Sequence, residues 1–227
     1  MGLVNSESKL SDIIISEPSV ITVLNRFNIK LGVGDKTIQN ICNEMNIDIQ
    51  FFVTILNTYI NKDYFPEATL KLFKASSIIS YLVKTNNYYA HFQLANIERH
   101  FHLLMKHSDG KVNNLPLMLR FFNELKEDVM QRINYDNTVW FPHILSLEET
   151  GTSLEANTAN TNYNDTIEEK LNDLKSMLVI HLSGDYDQNL CHAVIFAIIS
   201  LEKDIIQNNR IRYRILGALC DSMTKGE

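Results

Sequence analysis

Arg132 and Asp136 stand four residues apart in the stretch ELKEDVMQRINYDNTVWFP, Glu124 to Pro142. On a helix that spacing puts both side chains on one face, where a guanidinium and a carboxylate can pair. A guanidinium is always protonated and only donates, so it neutralises acids and does not bind metal ions. His100 and His107 are seven apart and share a helical face. Two imidazoles so placed form a metal site only if a neighbouring helix adds a carboxylate or another His. Solvated or interhelical histidines are the plainer reading, and the one adopted. Cys42, Cys191 and Cys220 are far apart, make no CxxC pair and are odd in number. That argues against a disulfide framework, and each is read as a small core residue. The run GVGDKT, 32–37, is too short for the phosphate-binding pattern GxxxxGK[ST]. Trp140 and Phe141 are read as core packing at a helix end, and the arginines of NRIRYR, 209–214, as a solvated surface or partner contact.

The elements that would position these groups are helical. The chain has 227 residues, 45% of them hydrophobic, which allows one large domain or two smaller ones around a real core. Only 8 Gly and 4 Pro occur, and that scarcity of breakers predicts an all-α fold. A net charge of −6 makes a poor generic nucleic-acid binder. No apolar run approaches the roughly 20 residues needed to span a bilayer, so no membrane association is expected. MGLVNSESKL at the start carries no basic-then-apolar leader pattern, and a reducing cytoplasmic setting is the expectation.

Along residues 9–61 the pattern predicts short helices. The first begins at Leu10, Ile13 and Ile14, and the second follows Pro18 with Val20, Ile21, Leu24 and Phe27 on one face. Gly32 and Gly34 punctuate the chain, Thr37 suits the cap of a third helix, Asn46 its end, and Asp48 the start of a fourth. Residues 62–68 read as a linker. Long helices are expected over 67–90, 94–108, 115–147 with a break near Pro142, 165–182 and 187–222. ETGTSLEANTANTNYN, 149–164, reads as a long connection. The expectation is a small helical domain over 1–62, then an antiparallel helical bundle over 67–222 with one long crossover.

These segments resemble the hemerythrin-like iron–sulfur cluster repair proteins, a di-iron family. ELKEDVMQRINYDNTVWFP is similar to that family's ELxEExxxHxxxEExxLFP, and FNIKLGVGDKTIQNIC, Phe27 to Cys42, to its FGIDFCCGGKxTLxEAC. The family's vicinal cysteines are Gly32 and Val33 here, which can serve neither redox nor metal chemistry. IISYLVKTNNYY, Ile78 to Tyr89, resembles LIxYIVxTHHxY, with Asn86 and Asn87 in place of the His pair. Further matches are KHSDG for a VHGD-like run, YND for EHD, and DIIQNNRIRYR for HxxxENxxLFP.

The resemblance implies a hemerythrin-like four-helix bundle whose seven ligand positions hold Asn87, Ser108, Arg132, Asp136, Asn164, Asp204 and Asn208. His107 falls one residue ahead of its position. Imidazoles and glutamates have given way to amides, an arginine and shorter acids, so no iron, no other cofactor and no enzymatic activity are expected. Asn87, Arg132, Asp136, Asn164, Asp204 and Asn208 are expected to form a hydrogen-bonded polar core. A residual oxygen-rich cation site built from Asp136 and Asp204 with Asn87, Asn164 or Asn208 is the alternative. The terminal DSMTKGE resembles the opening of a LuxR-type helix-turn-helix domain. On that resemblance the chain would be the sensory part of a stress-responsive transcription regulator, touching nucleic acid only through a further C-terminal domain and signalling through a protein partner or self-association. The competing expectations are a repair metalloprotein with altered ligands and a structural dimerisation module.

Overall fold

A computed structural model describes residues 2–108, 114–150 and 166–224. These residues are helical, and among them no strand forms beyond an isolated bridge between Lys9 and Thr37. Among them no helix is long and apolar enough to cross a membrane.

The chain divides into two compact units, one of residues 1–84, 144–154 and 207–227, the other of 85–143 and 155–206. The boundary expected at 62–67 lies inside the first. That unit opens with α1 (Leu10–Ser16), a 3-10 turn (Pro18–Val20), α2 (Ile21–Arg26), α3 (Ile38–Met45) and α4 (Ile49–Ile60). Local chemistry sets their ends. Thr37 Oγ1 accepts the Asn40 N–H at 3.2 Å while Asn40 Oδ1 accepts the Thr37 N–H at 3.3 Å, a reciprocal cap for α3. Asn46 ends the helix in the left-handed conformation at φ 53°. Asp48 Oδ1 accepts the Phe51 N–H at 2.8 Å and starts α4. Gly32 and Gly34 have φ of 91° and 61°, backbone that a side chain would strain, so the turn before α3 depends on them. Buried Asn57 on α4 accepts the Val4 N–H at 2.8 Å and donates to the Val4 carbonyl at 2.9 Å, tying down the start of the chain.

The long helix expected from 67 begins at Ala75. A 3-10 turn (Leu70–Leu72) and extended Phe73, whose ring is buried, come first. The helix is α5 (Ala75–Tyr88), and its first two N–H groups are satisfied from far along the chain: Glu148 accepts Ala75 N–H at 2.6 Å and Ser76 N–H at 3.0 Å.

The break expected between 90 and 94 is absent. α5 runs through a π segment (Tyr89–Gln93) straight into α6 (Leu94–Lys106). α7 (Leu115–Tyr135) likewise passes through a π segment (Asp136–Trp140) into α8 (Phe141–Thr150), so the WFP sequence ends no helix. Pro142 has no N–H, and its ring crowds the carbonyl one turn back; the wider turn before it supplies room. α9 (Ile167–Ser176) ends in a third π segment (Met177–His181). α10 (Gln188–Asn209) continues through a fourth (Arg210–Gly217) into α11 (Ala218–Thr224). Of the connection expected over 149–164, Glu149 and Thr150 belong to α8, and 151–164 lie outside the described residues.

In the second unit four helical segments share one apolar core. α6 contributes Leu94, Ile97, Phe101 and Leu104, and α7 contributes Met118, Phe122, Leu125 and Val129, both at three- and four-residue spacing. α9 adds Leu171 and Leu174, and α10 adds Val194, Ile198, Leu201 and Ile205. Half-exposed ion pairs join neighbours: Lys126 with Glu98 at 2.7 Å, Lys170 with Asp128, and Lys175 with Glu202 at 2.6 Å. Such pairs contribute little each, so the apolar stripes carry the stability.

Candidate functional site

The second unit buries a polar group set that an ordinary helical core would lack: Thr85, Asn86, Arg132, Asp136, His143 and Asp204. Arg132 is 1% exposed and Asp136 2%. The apolar stripe of α7 runs 118, 122, 125, 129, and its continuation at the same spacing falls on Arg132 and Ile133 and then on Asp136. Fixed pattern therefore drives both charges inward. Asp136 opens the π segment, and its N–H reaches the carbonyls of Arg132 and Ile133.

From α5, Asn86 Nδ2 donates to Asp136 Oδ2 at 3.3 Å, a buried contact across 50 residues of sequence. An amide that donates to a carboxylate lowers the cost of burying it. The described buried residues of this unit include one guanidinium, Arg132, against two carboxylates, Asp136 and Asp204. Buried charges persist only when paired and hydrogen-bonded, and here buried carboxylates outnumber the guanidinium. His143, seven residues beyond Asp136 and 5% exposed, has an Nδ1 with no hydrogen-bond partner among the described residues.

The seven positions singled out from sequence fare differently. Arg132, Asp136 and Asp204 are buried. Asn87 is exposed, and Asn86 makes the contact to Asp136 instead. The reason is helical register: within the second unit the buried positions of this segment are 85, 86 and 89, and position 87 lies about 100° from 86. Ser108 lies just past α6, is half-buried and donates its hydroxyl to the Leu104 carbonyl of that helix at 2.6 Å. His107, beside it, is exposed. Asn208 is 2% exposed, in the first unit, and its Oδ1 has no hydrogen-bond partner among the described residues. Asn164 lies outside the described residues.

Asn87, expected in the polar core, is exposed, and buried Thr85, Asn86 and His143 stand outside the expected set. The stripe spacing from Ile78 onward was the signal that would have found Thr85 and Asn86. Of the arginines of 209–214, expected at a solvated surface or partner contact, Arg214 is exposed and Arg210 half-buried, and Arg212 alone is buried. Arg212 is 3% exposed with its guanidinium 5.3 Å from the Tyr213 ring centroid, Arg210 donates to Gln207 Oε1 at 2.7 Å, and Arg214 donates to the Lys62 carbonyl at 3.1 Å. Trp140 and Phe141 are both buried, with centroids 5.4 Å apart, as expected of core aromatics.

Among the described residues no group of three or more His, Cys, Asp or Glu side chains is placed to hold a metal ion. The three cysteines are buried and free of disulfides. Burial, with the Asp48 charge adding to it, pushes the Cys42 thiol up to about 11, and burial raises those of Cys191 and Cys220. Raised thiols are poor nucleophiles at neutral pH. Compared with known proteins, the chain matches no family model, no curated protein and no solved structure.

Proposed function

We propose that this chain is a non-catalytic, hemerythrin-like regulatory module whose helical interior is knitted by side chains where the di-iron proteins it resembles carry metal. The observation that carries the reading is the buried Asn86–Asp136 hydrogen bond on the α5 and α7 segments that resemble ligand-bearing helices. Buried Arg132, four residues before Asp136, supports it, because a permanent positive charge repels a metal cation. A hydrogen-bonded interior has few alternative packings, each set by a discrete exchange of partners. A ligand or protein that favours one packing then shifts the whole helix set. The DSMTKGE resemblance extends the proposal to the sensory part of a transcription regulator.

Metal analysis of protein purified without air tests the reading. Iron well below one equivalent supports it. About two irons per chain, the stoichiometry of di-iron carboxylate bundles, overturns it in favour of a repair metalloprotein with altered ligands.

A further inference from the structure

A cleft of about 380 Å³ opens within the first unit. Volumes of this order accept small organic molecules. Its lining has two kinds of surface. Half-buried Phe27 and buried Phe51 and Tyr81 supply the aromatic part, packed on one another with the Phe27 and Tyr81 rings 5.6 Å apart and Phe27 and Phe51 6.0 Å apart. Around it stand Arg26, Lys84 and the hydroxyls of Ser76, Ser77 and Ser80.

Arg26 is the unusual member. It lines the cleft yet is only 2% exposed. Its Nη1 donates to the Tyr59 hydroxyl at 2.8 Å, and its guanidinium carbon lies 5.7 Å from the Tyr81 ring centroid. The phenol and the ring fix the guanidinium, so it meets a ligand already oriented, with little rotamer entropy left to lose. Lys84 at the rim is exposed and adds a second positive charge. Among the described lining residues the carboxylate is Asp48, which caps α4 and keeps its negative charge, so Arg26 and Lys84 together still leave the lining positive. The N–H groups that open α5 are taken by Glu148 and offer nothing to a ligand. Attraction for an anion therefore comes from the two cationic side chains and the serines, in a chain whose net charge is −6.

We propose that this cleft binds a small aromatic acid, its ring against Phe27, Phe51 and Tyr81 and its carboxylate toward Arg26 and Lys84. The proposal does not depend on the interior of the second unit being metal-free.

Benzoate is the probe, titrated into the full chain and followed by amide and side-chain NMR, with benzyl alcohol as the ring without the charge. Saturable shifts confined to residues 26–27, 46–51 and 76–84, absent with benzyl alcohol, are expected. Lys84→Glu, an exposed change that leaves the fold intact, should weaken binding about fivefold or more, the scale of reversing a partly exposed charge. Ser80→Trp, which fills the cleft from its open side, should abolish it, while Lys30→Glu elsewhere in the unit changes nothing. The proposal is overturned by no saturation up to about 10 mM, an affinity weaker than roughly −3 kcal/mol. Equal binding of benzyl alcohol, or shifts that survive Ser80→Trp, overturn it as well.

Discussion

Asn86 and Asp136, 50 residues apart in sequence, meet inside the second unit with the amide donating to the carboxylate at 3.3 Å, while Asn87, the next residue, faces solvent. Two chemically identical neighbours thus have opposite roles, which makes a clean comparison. Asn86→Ala leaves a buried carboxylate short of a donor and should cost about 1–3 kcal/mol of unfolding free energy. Asn87→Ala should stay within about 0.5 kcal/mol of the parent. Urea denaturation of the two variants measures the difference, and equal effects would show that the contact contributes nothing.

Arg132 is buried four residues ahead of Asp136. Arg132→Met removes a buried cation and leaves two buried carboxylates in the unit, so a loss of about 3–5 kcal/mol is expected. Adding Asp136→Leu should recover part of it, because replacing charges of both signs with apolar groups restores the balance. A double-mutant cycle reads the coupling, and strict additivity would mean that the two charges do not sense each other.

Glu148 reaches the first two N–H groups of α5 across more than 70 residues of sequence. Removing that acceptor by Glu148→Ala should lower stability by about 1–2 kcal/mol, the scale of a lost helix cap. Glu148→Gln keeps one acceptor oxygen and should fall between. Hydrogen exchange at Ala75 and Ser76 locates the effect. Unchanged protection there in the alanine variant would assign the caps to water.

Cys42 is fully buried, and its thiol titrates at about 11 against an ordinary 9.0. The folded state therefore holds the proton to higher pH than the unfolded chain does. Its contribution to stability is complete below about pH 9 and declines as pH rises through 11. Cys42→Ala should flatten the alkaline fall of the melting temperature over that window. At pH 8 the three thiols should react with an aromatic disulfide only after denaturant is added. Rapid labelling of the native protein would contradict the burial of all three.

Where local chemistry decides, the sequence was readable. Thr37, Asn46 and Asp48 carry the caps expected of them, because a cap needs only a hydroxyl, amide or carboxylate within one turn of its own backbone. The all-helical class followed from the scarcity of Gly and Pro. Register over long helices was harder. Tyr89–Gln93 reads YAHFQ, with no breaker to mark its wide turn, and the aromatic-proline run at 140–142 reads as a stop although the helix passes through it. Arg26 was invisible for another reason: its burial depends on Tyr59 and Tyr81, which lie 33 and 55 residues away and which no local window contains. Asn86 could be separated from Asn87 only by following the apolar stripe residue by residue.

The wide turns have a consequence for how this chain tolerates changes of length. Each holds one more residue per turn than its flanks, so it acts as slack in an otherwise rigid rod. Losing a single residue from Tyr89–Gln93 would tighten that turn to ordinary pitch and leave Asn86 and Phe101, both of the second unit, still buried. The same loss from the middle of α7 would rotate every residue beyond it by about 100° and turn Asp136 toward water.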